Sequence, residues 1–193
     1  AIHNYKGAKV KIICEKKSNK LLNLKKRYPE IKVTKNEDDI FHDKEINLVS
    51  IASYDEDHYP QILKCIKYKK NIIVEKPMCL KLKELKHIKN LISNSNIKIT
   101  SNLVLRVNDL FMNIKKKIKK DKIFYIEADY LWGRKNKLFG WRSKTKDYSL
   151  ILGAGIHMID LAMWMLNKRP HSVFTVANNI ATSKTIFKKN SMA

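Results

Sequence analysis

Short apolar runs and apolar stripes of helical spacing alternate through the first hundred residues. Residues 8–14 read as a strand that ends at Glu15. Ser18 offers an N-cap to a helix running to about Tyr28, where Pro29 stops it. Residues 31–34 form a short strand and 36–41 a brief helix, and 46–52 are apolar enough for a buried strand. Over 56–69, Tyr59, Ile62, Leu63 and Ile66 share one helical face. Residues 72–74 make the next strand, and Leu82, Leu85, Ile88, Leu91 and Ile92 mark an amphipathic helix. Residues 97–105 return as strand and connection. Strand and helix in alternation predict a parallel sheet wound with helices. Right-handed crossovers make 46–52 and 72–74 neighbours, with their carboxyl ends at one crevice.

The pattern then changes. Residues 109–120 spell a lysine-rich helix with Leu110, Phe111, Ile114 and Ile118 as its apolar stripe. From Ile123 to Trp132 the period is two and aromatics are frequent, the signature of a strand with one wetter face. A polar connection follows, Gly153-Ala154-Gly155 leads into a helix through Leu166, and 172–177 make a further strand. These expectations divide the chain near 102–105 into two domains, 1–103 and 104–193.

Composition narrows the function classes. The 193 residues carry a formal charge of +22, which invites a nucleic-acid reading. Only five of the 40 basic residues are arginine, however, and arginine is the preferred bidentate reader of phosphate and guanine. The lysines are spread over every helical stretch, so specific nucleic-acid binding is not expected. Cys14, Cys65 and Cys79 form no metal or disulfide pattern, which agrees with reduced thiols in the cytoplasm. No segment has the length of a membrane span.

Three places carry candidate chemistry. Glu75-Lys76-Pro77 follows the apolar run of 71–74, which sets Lys76 at the carboxyl end of a buried strand, where open α/β sheets bind ligands. Proline keeps the residue before it out of the helical region. A lysine held there can hydrogen-bond a substrate hydroxyl or be tuned for proton transfer. His157 and Asp160, three apart, share a helical face, with His157 expected in the first turn, where the helix dipole keeps the ring neutral. A core histidine bonded to a carboxylate one turn away fits the same spacing. Glu15, at an early strand end, can accept hydrogen bonds from an adenosine ribose. The glycine-rich turn that precedes such an acid by about 20 residues has no room ahead of it in these 193 residues.

Taken in order, these segments resemble the Gfo/Idh/MocA family of nicotinamide-dependent oxidoreductases. The similarity rests on residues 46–52 with His58, on 72–77 with its Glu-Lys-Pro, and on 102–108. It continues through Gly140-Trp141-Arg142 and Gly155-x-His157-x-x-Asp160. The resemblance implies a Rossmann-type parallel sheet lacking its first strand, followed by an α/β domain with an open, largely antiparallel sheet. It implies hydride transfer between NAD, or NADP, and a carbon of a sugar, nucleotide sugar or cyclitol, with Lys76 on the reacting oxygen and His157 as general base. Arg106 and Asp160 would hold substrate hydroxyls, Glu15 the adenosine ribose, and Ser53, Glu75, Lys76 and Arg142 would border the cofactor. No metal is implied, and the full-length enzyme is expected to be a homo-oligomer. Where many members carry aspartate four residues before the histidine, this chain has Gly153. A non-catalytic relative and an inactive fragment are the alternatives within the family.

Overall fold

A computed structural model describes residues 6–118, 123–131 and 133–191. The first half is the predicted alternation, with shorter strands than the apolar runs suggest. In order it contains β1 (Ile12–Cys14), α1 (Ser18–Arg27), β2 (Lys32–Thr34), α2 (Asp38–Phe41), β3 (Leu48–Ile51), α3 (Asp55–Lys67), β4 (Asn71–Val74), α4 (Leu82–Ser93) and β5 (Ile99–Ser101). β1 pairs with β2 in parallel, Ile13 opposite Val33. β3, β4 and β5 form a second sheet in that order. Ile72 N–H bonds Lys98 O, and Asn102 N–H bonds Val74 O two residues further along β4, the climb of a parallel pair. The expected adjacency of the strands around 46–52 and 72–74 is therefore present. Ser18 does not cap α1: it is the first helical residue, Lys17 is the cap, and the Ser18 hydroxyl instead accepts from Lys35 Nζ.

Two compact units emerge from the packing. The first comprises residues 1–51, 60–73 and 88–100, and the second 52–59, 74–87 and 101–193. In the first, Ile13 and Val33 are half-buried, while Val49, Ile51, Ile62 and Ile72 are buried. The buried stripe of α3 differs from the expected one. It runs Asp55, His58, Ile62, Cys65, and Tyr59, Leu63 and Ile66 are only partly covered. Two polar residues lie on the buried face of this helix, so an apolar-only periodicity misplaces it by one residue. Burial pushes the Cys65 thiol up to about 12, which makes it a packing residue and not a reactive one.

The second unit has a 3₁₀ turn (Val104–Val107), α5 (Asp109–Lys117), α6 (Trp141–Lys144) and α7 (Ile156–Leu166). The Asn108 side chain caps α5 by accepting Leu110 N–H at 3.0 Å, and Asn167 ends α7 in the left-handed conformation. Leu110 and Ile114 of the α5 stripe are exposed. The expected antiparallel sheet is absent among the described residues, where the paired strands are parallel. Residues 123–131 and 172–177 have no ladder, and Phe124, Leu131 and Phe174 are 98%, 93% and 90% exposed. Trp132, the last residue of that expected strand, lies outside the described residues, as do Lys119 and Lys120 of the expected helix. A strand needs hydrogen-bonded neighbours to persist, and neither segment has one here. No helix among the described residues is long and apolar enough to cross a membrane.

Candidate functional site

The second unit contains Ser53, Glu75, Lys76, Arg106, Arg142, His157 and Asp160, whereas Glu15 belongs to the first. β4 ends at Val74, and the chain turns through Lys76 with a cis peptide to Pro77. Two bonds fix this turn. Asn102 Nδ2 donates to Glu75 Oε1 at 2.6 Å, and the fully buried His58 ring lies 2.7 Å by Nδ1 from Pro77 O. A carbonyl only accepts, so Nδ1 donates to Pro77 O. His58 Nε2 lies at the longer 3.3 Å from Ser53 O. His58 thus ties the Lys-Pro turn to the loop after β3, a structural role that the sequence pattern did not separate from the rest of the motif.

Lys76 projects from this turn into the half-buried space beside α7. Its Nζ donates to Gly153 O at 2.5 Å. Burial pushes its pKa below the ordinary lysine value; Asp55 opposes this and Arg142 adds to it. Asp55 is a residue that sequence reasoning missed. It starts α3, is buried, and has a pKa raised by burial against the nearby charges of His58, Lys76 and Arg142. Its signal was available in the three-residue spacing to His58 on the buried face of α3.

Gly153 does not precede the helix. Residues Ile151–Gly155 form a π turn that runs directly into α7, and Ile156 N–H reaches back to Ile151 O. His157 is therefore not in the first turn of the helical run, and the dipole is not what keeps it neutral. Burial lowers its pKa, the Lys76 charge lowers it further, and Asp160 and Glu75 pull the other way. The ring stacks on Tyr130 at 6.1 Å, and its buried Nδ1 has no hydrogen-bond partner among the described residues. The alternative of a core histidine bonded to the carboxylate one turn on is not what the structure contains. Asp160 instead forms a two-point pair with Arg106: Nε to Oδ2 at 2.8 Å, and a second short bond from Nη2 to Oδ1. The two residues expected to hold substrate hydroxyls are paired with each other, which leaves Arg106 three of its five N–H donors.

Arg142 lies over the Trp141 ring, 4.5 Å from its centroid, and 5.8 Å from that of Tyr148. Ser53 follows β3, and its carbonyl faces His58. Glu15, one residue past β1, continues the β1–β2 ladder through its N–H to Thr34 O at 3.0 Å. Its carboxylate accepts Lys17 N–H at 2.9 Å and keeps further lone pairs for a ligand. Chemically, the site brings together a lysine donor and a neutral imidazole whose protonation the lysine opposes. That set can hold a hydroxyl and take its proton.

Comparison with known proteins bears on the family and the fold. The sequence model described as "Oxidoreductase family, NAD-binding Rossmann fold" matches residues 1–103. Over 150 residues the chain is 21% identical to the uncharacterized oxidoreductase YhhX of Escherichia coli K12, a match covering 77% of this chain and 44% of that protein. Among solved structures, myo-inositol 2-dehydrogenase from Lactobacillus plantarum superposes with a TM-score of 0.81 at 21% identity, covering 95% of this chain and 56% of that one. Scyllo-inositol dehydrogenase from Lactobacillus casei, bound to NAD(H) and scyllo-inositol, gives 0.72 at 21%, covering 87% and 52%. The WlbA dehydrogenase of Thermus thermophilus, in complex with NAD and UDP-GlcNAcA, gives 0.65 at 22%, covering 80% and 54%. The chain spans about half the length of these relatives. At such identities the structural likeness establishes the fold, and the family match independently agrees with NAD as the expected cofactor.

Proposed function

Because the chain belongs to the Gfo/Idh/MocA family of oxidoreductases, whose Rossmann fold binds NAD, we propose that its protein oxidises a secondary alcohol of a sugar, nucleotide sugar or cyclitol. The observation that carries the reading is the Lys76–His157 arrangement. A half-buried ammonium and a half-buried imidazole share one field, and one imidazole nitrogen lacks a partner.

The residues fit a nicotinamide and an alcohol at this end of the site. His157 Nδ1 is a buried polar atom without a partner among the described residues, and such a group is costly to bury unless a ligand meets it. Ser53, Glu75, Lys76 and Arg142 would border the nicotinamide, and Glu15 would accept the ribose hydroxyls of the adenosine. When bound, the cofactor supplies acceptance of a hydride, that is, of the two electrons of the broken C–H bond. The chain's own residues manage the oxygen. Lys76, with one N–H on Gly153 O, donates another to the substrate oxygen and stabilises charge developing there. His157 takes the hydroxyl proton as the carbonyl forms. The Arg106–Asp160 pair presents its remaining donors to neighbouring hydroxyls. Glu15 favours NAD over NADP, since its carboxylate repels a 2′-phosphate.

The test is NAD reduction by the full-length protein against a panel of cyclitols, hexoses and nucleotide sugars. Lys76→Ala and His157→Ala are each expected to lower kcat by about 10²–10⁴-fold. Unchanged turnover in both variants on a substrate the native protein oxidises would remove the basis of the reading.

A further inference from the structure

Tyr148 lies outside the lysine–histidine pair, and its ring occupies the volume that a side chain at position 153 would need. A Cβ built on Gly153 would lie 2.5 Å from Tyr148 Cζ and 2.8 Å from Cε2, with Oη nearer still. No residue larger than glycine fits at 153 while Tyr148 stays in place.

The ring is held from several directions. It is 3% exposed and forms a core cluster with Leu138 and Phe187. Trp141 meets it edge-on at 5.7 Å and Phe187 edge-on at 6.1 Å. Lys189 Nζ lies 5.9 Å above it and donates to the carbonyls of Thr145 and Arg142 at the end of α6. Among the described residues the hydroxyl makes no hydrogen bond of normal geometry, although the guanidinium of Arg142 is nearby. On its remaining side Tyr148 meets the π turn, at the residue whose carbonyl receives Lys76 Nζ.

We propose that Tyr148 is a positioning residue for Lys76: its ring, wedged against Gly153, holds the π turn so that Gly153 O meets the ammonium. The wedge replaces any side chain at 153, and Gly153 is required for it. Lys76 is thereby kept in its half-buried place and not extended into solvent. This rests on the assignment of Lys76 to catalysis for its importance, but not for its test.

The test reads Lys76 directly. The rate of its acetylation by a water-soluble reagent is followed against pH by peptide mass spectrometry, with the exposed lysines of the same digest as internal controls. In the native chain the midpoint for Lys76 is expected to lie below that of the exposed lysines. Tyr148→Leu, which takes the ring off Gly153, should move the Lys76 midpoint up towards theirs. Tyr148→Phe, which keeps the ring, should leave it in place. A Tyr148→Leu chain with native circular dichroism and an unmoved Lys76 midpoint overturns the proposal, as does an equal shift in Tyr148→Phe. If Tyr148→Leu does not fold, Gly153→Ala makes the same test from the other side. Its methyl group displaces the ring, so the midpoint should rise, and an unmoved midpoint again overturns the proposal. None of these readouts involves NAD or turnover. A native protein inert towards every alcohol, with the midpoint shifting as stated, would sink the dehydrogenase reading alone.

Discussion

Removing the Lys76 ammonium lifts part of the field that keeps His157 neutral. In Lys76→Met the His157 pKa is therefore expected to rise towards the ordinary histidine value, as followed by the ring-proton chemical shifts in NMR. The same directions set the pH profile. Activity should rise with pH as His157 loses its proton, along a limb lying below the usual 6.5 because the pKa is lowered. It should fall as Lys76 loses its charge, along a limb lying below 10.5 for the same reason. A kcat/KM profile with its acid limb above 6.5 would contradict this assignment. Tyr148 supports a separate expectation. Burial raises its phenol pKa while the nearby Arg142 guanidinium opposes the rise, and its buried hydroxyl makes no hydrogen bond of normal geometry among the described residues. Since an unpaired buried hydroxyl costs about 1–3 kcal/mol, Tyr148→Phe should be at least as stable as the native chain in a urea titration. Lys76 and Glu15 were legible as candidates because strand ends are where α/β sheets bind ligands. Tyr148 and the role of His58 were not, since nothing local in sequence distinguishes a buried polar residue from an exposed one, and Asp55 offered only its three-residue spacing to His58.

At the scale of elements, the joint between the π turn and α7 is the least tolerant place in the site. Gly153→Ala adds a methyl group where the Tyr148 ring lies, and overpacking of this kind costs about 1–3 kcal/mol. A drop of that size in unfolding free energy is expected, with little change in the denaturant m-value. His58→Ala removes both the Pro77 bond and a fully buried ring, for a loss of about 3 kcal/mol or more. The segments 123–131 and 172–177 lead to an exchange experiment. Their amides have no ladder partner among the described residues, so they should exchange with deuterium far faster than those of β3 and β4. Their alternating pattern is a correct statement of β propensity. Propensity does not create a neighbouring strand, which is why the expected antiparallel sheet is not found here.

For the whole molecule, the charge of +22 predicts non-specific adhesion to polyanions at low salt. Retention on immobilised DNA should fall steeply between about 50 and 200 mM salt and show no sequence preference; salt-resistant, sequence-selective binding would revive the nucleic-acid reading. By itself the sequence determined the order of strands and helices in the first half and the parallel class of the sheet. It also singled out Lys76 and His157, some 80 positions apart, as the pair proposed for the chemistry. Those features follow from periodicity, from proline and from motif order, which are local or simply sequential. Tertiary structure alone decided that Asp160 pairs with Arg106 and that the glycines at 153 and 155 lie inside a helix. It decided also that Tyr148 fills the room of an absent side chain. These depend on which atoms meet once the chain has packed, and hydrogen bonding and excluded volume between residues far apart leave no periodic trace in the sequence.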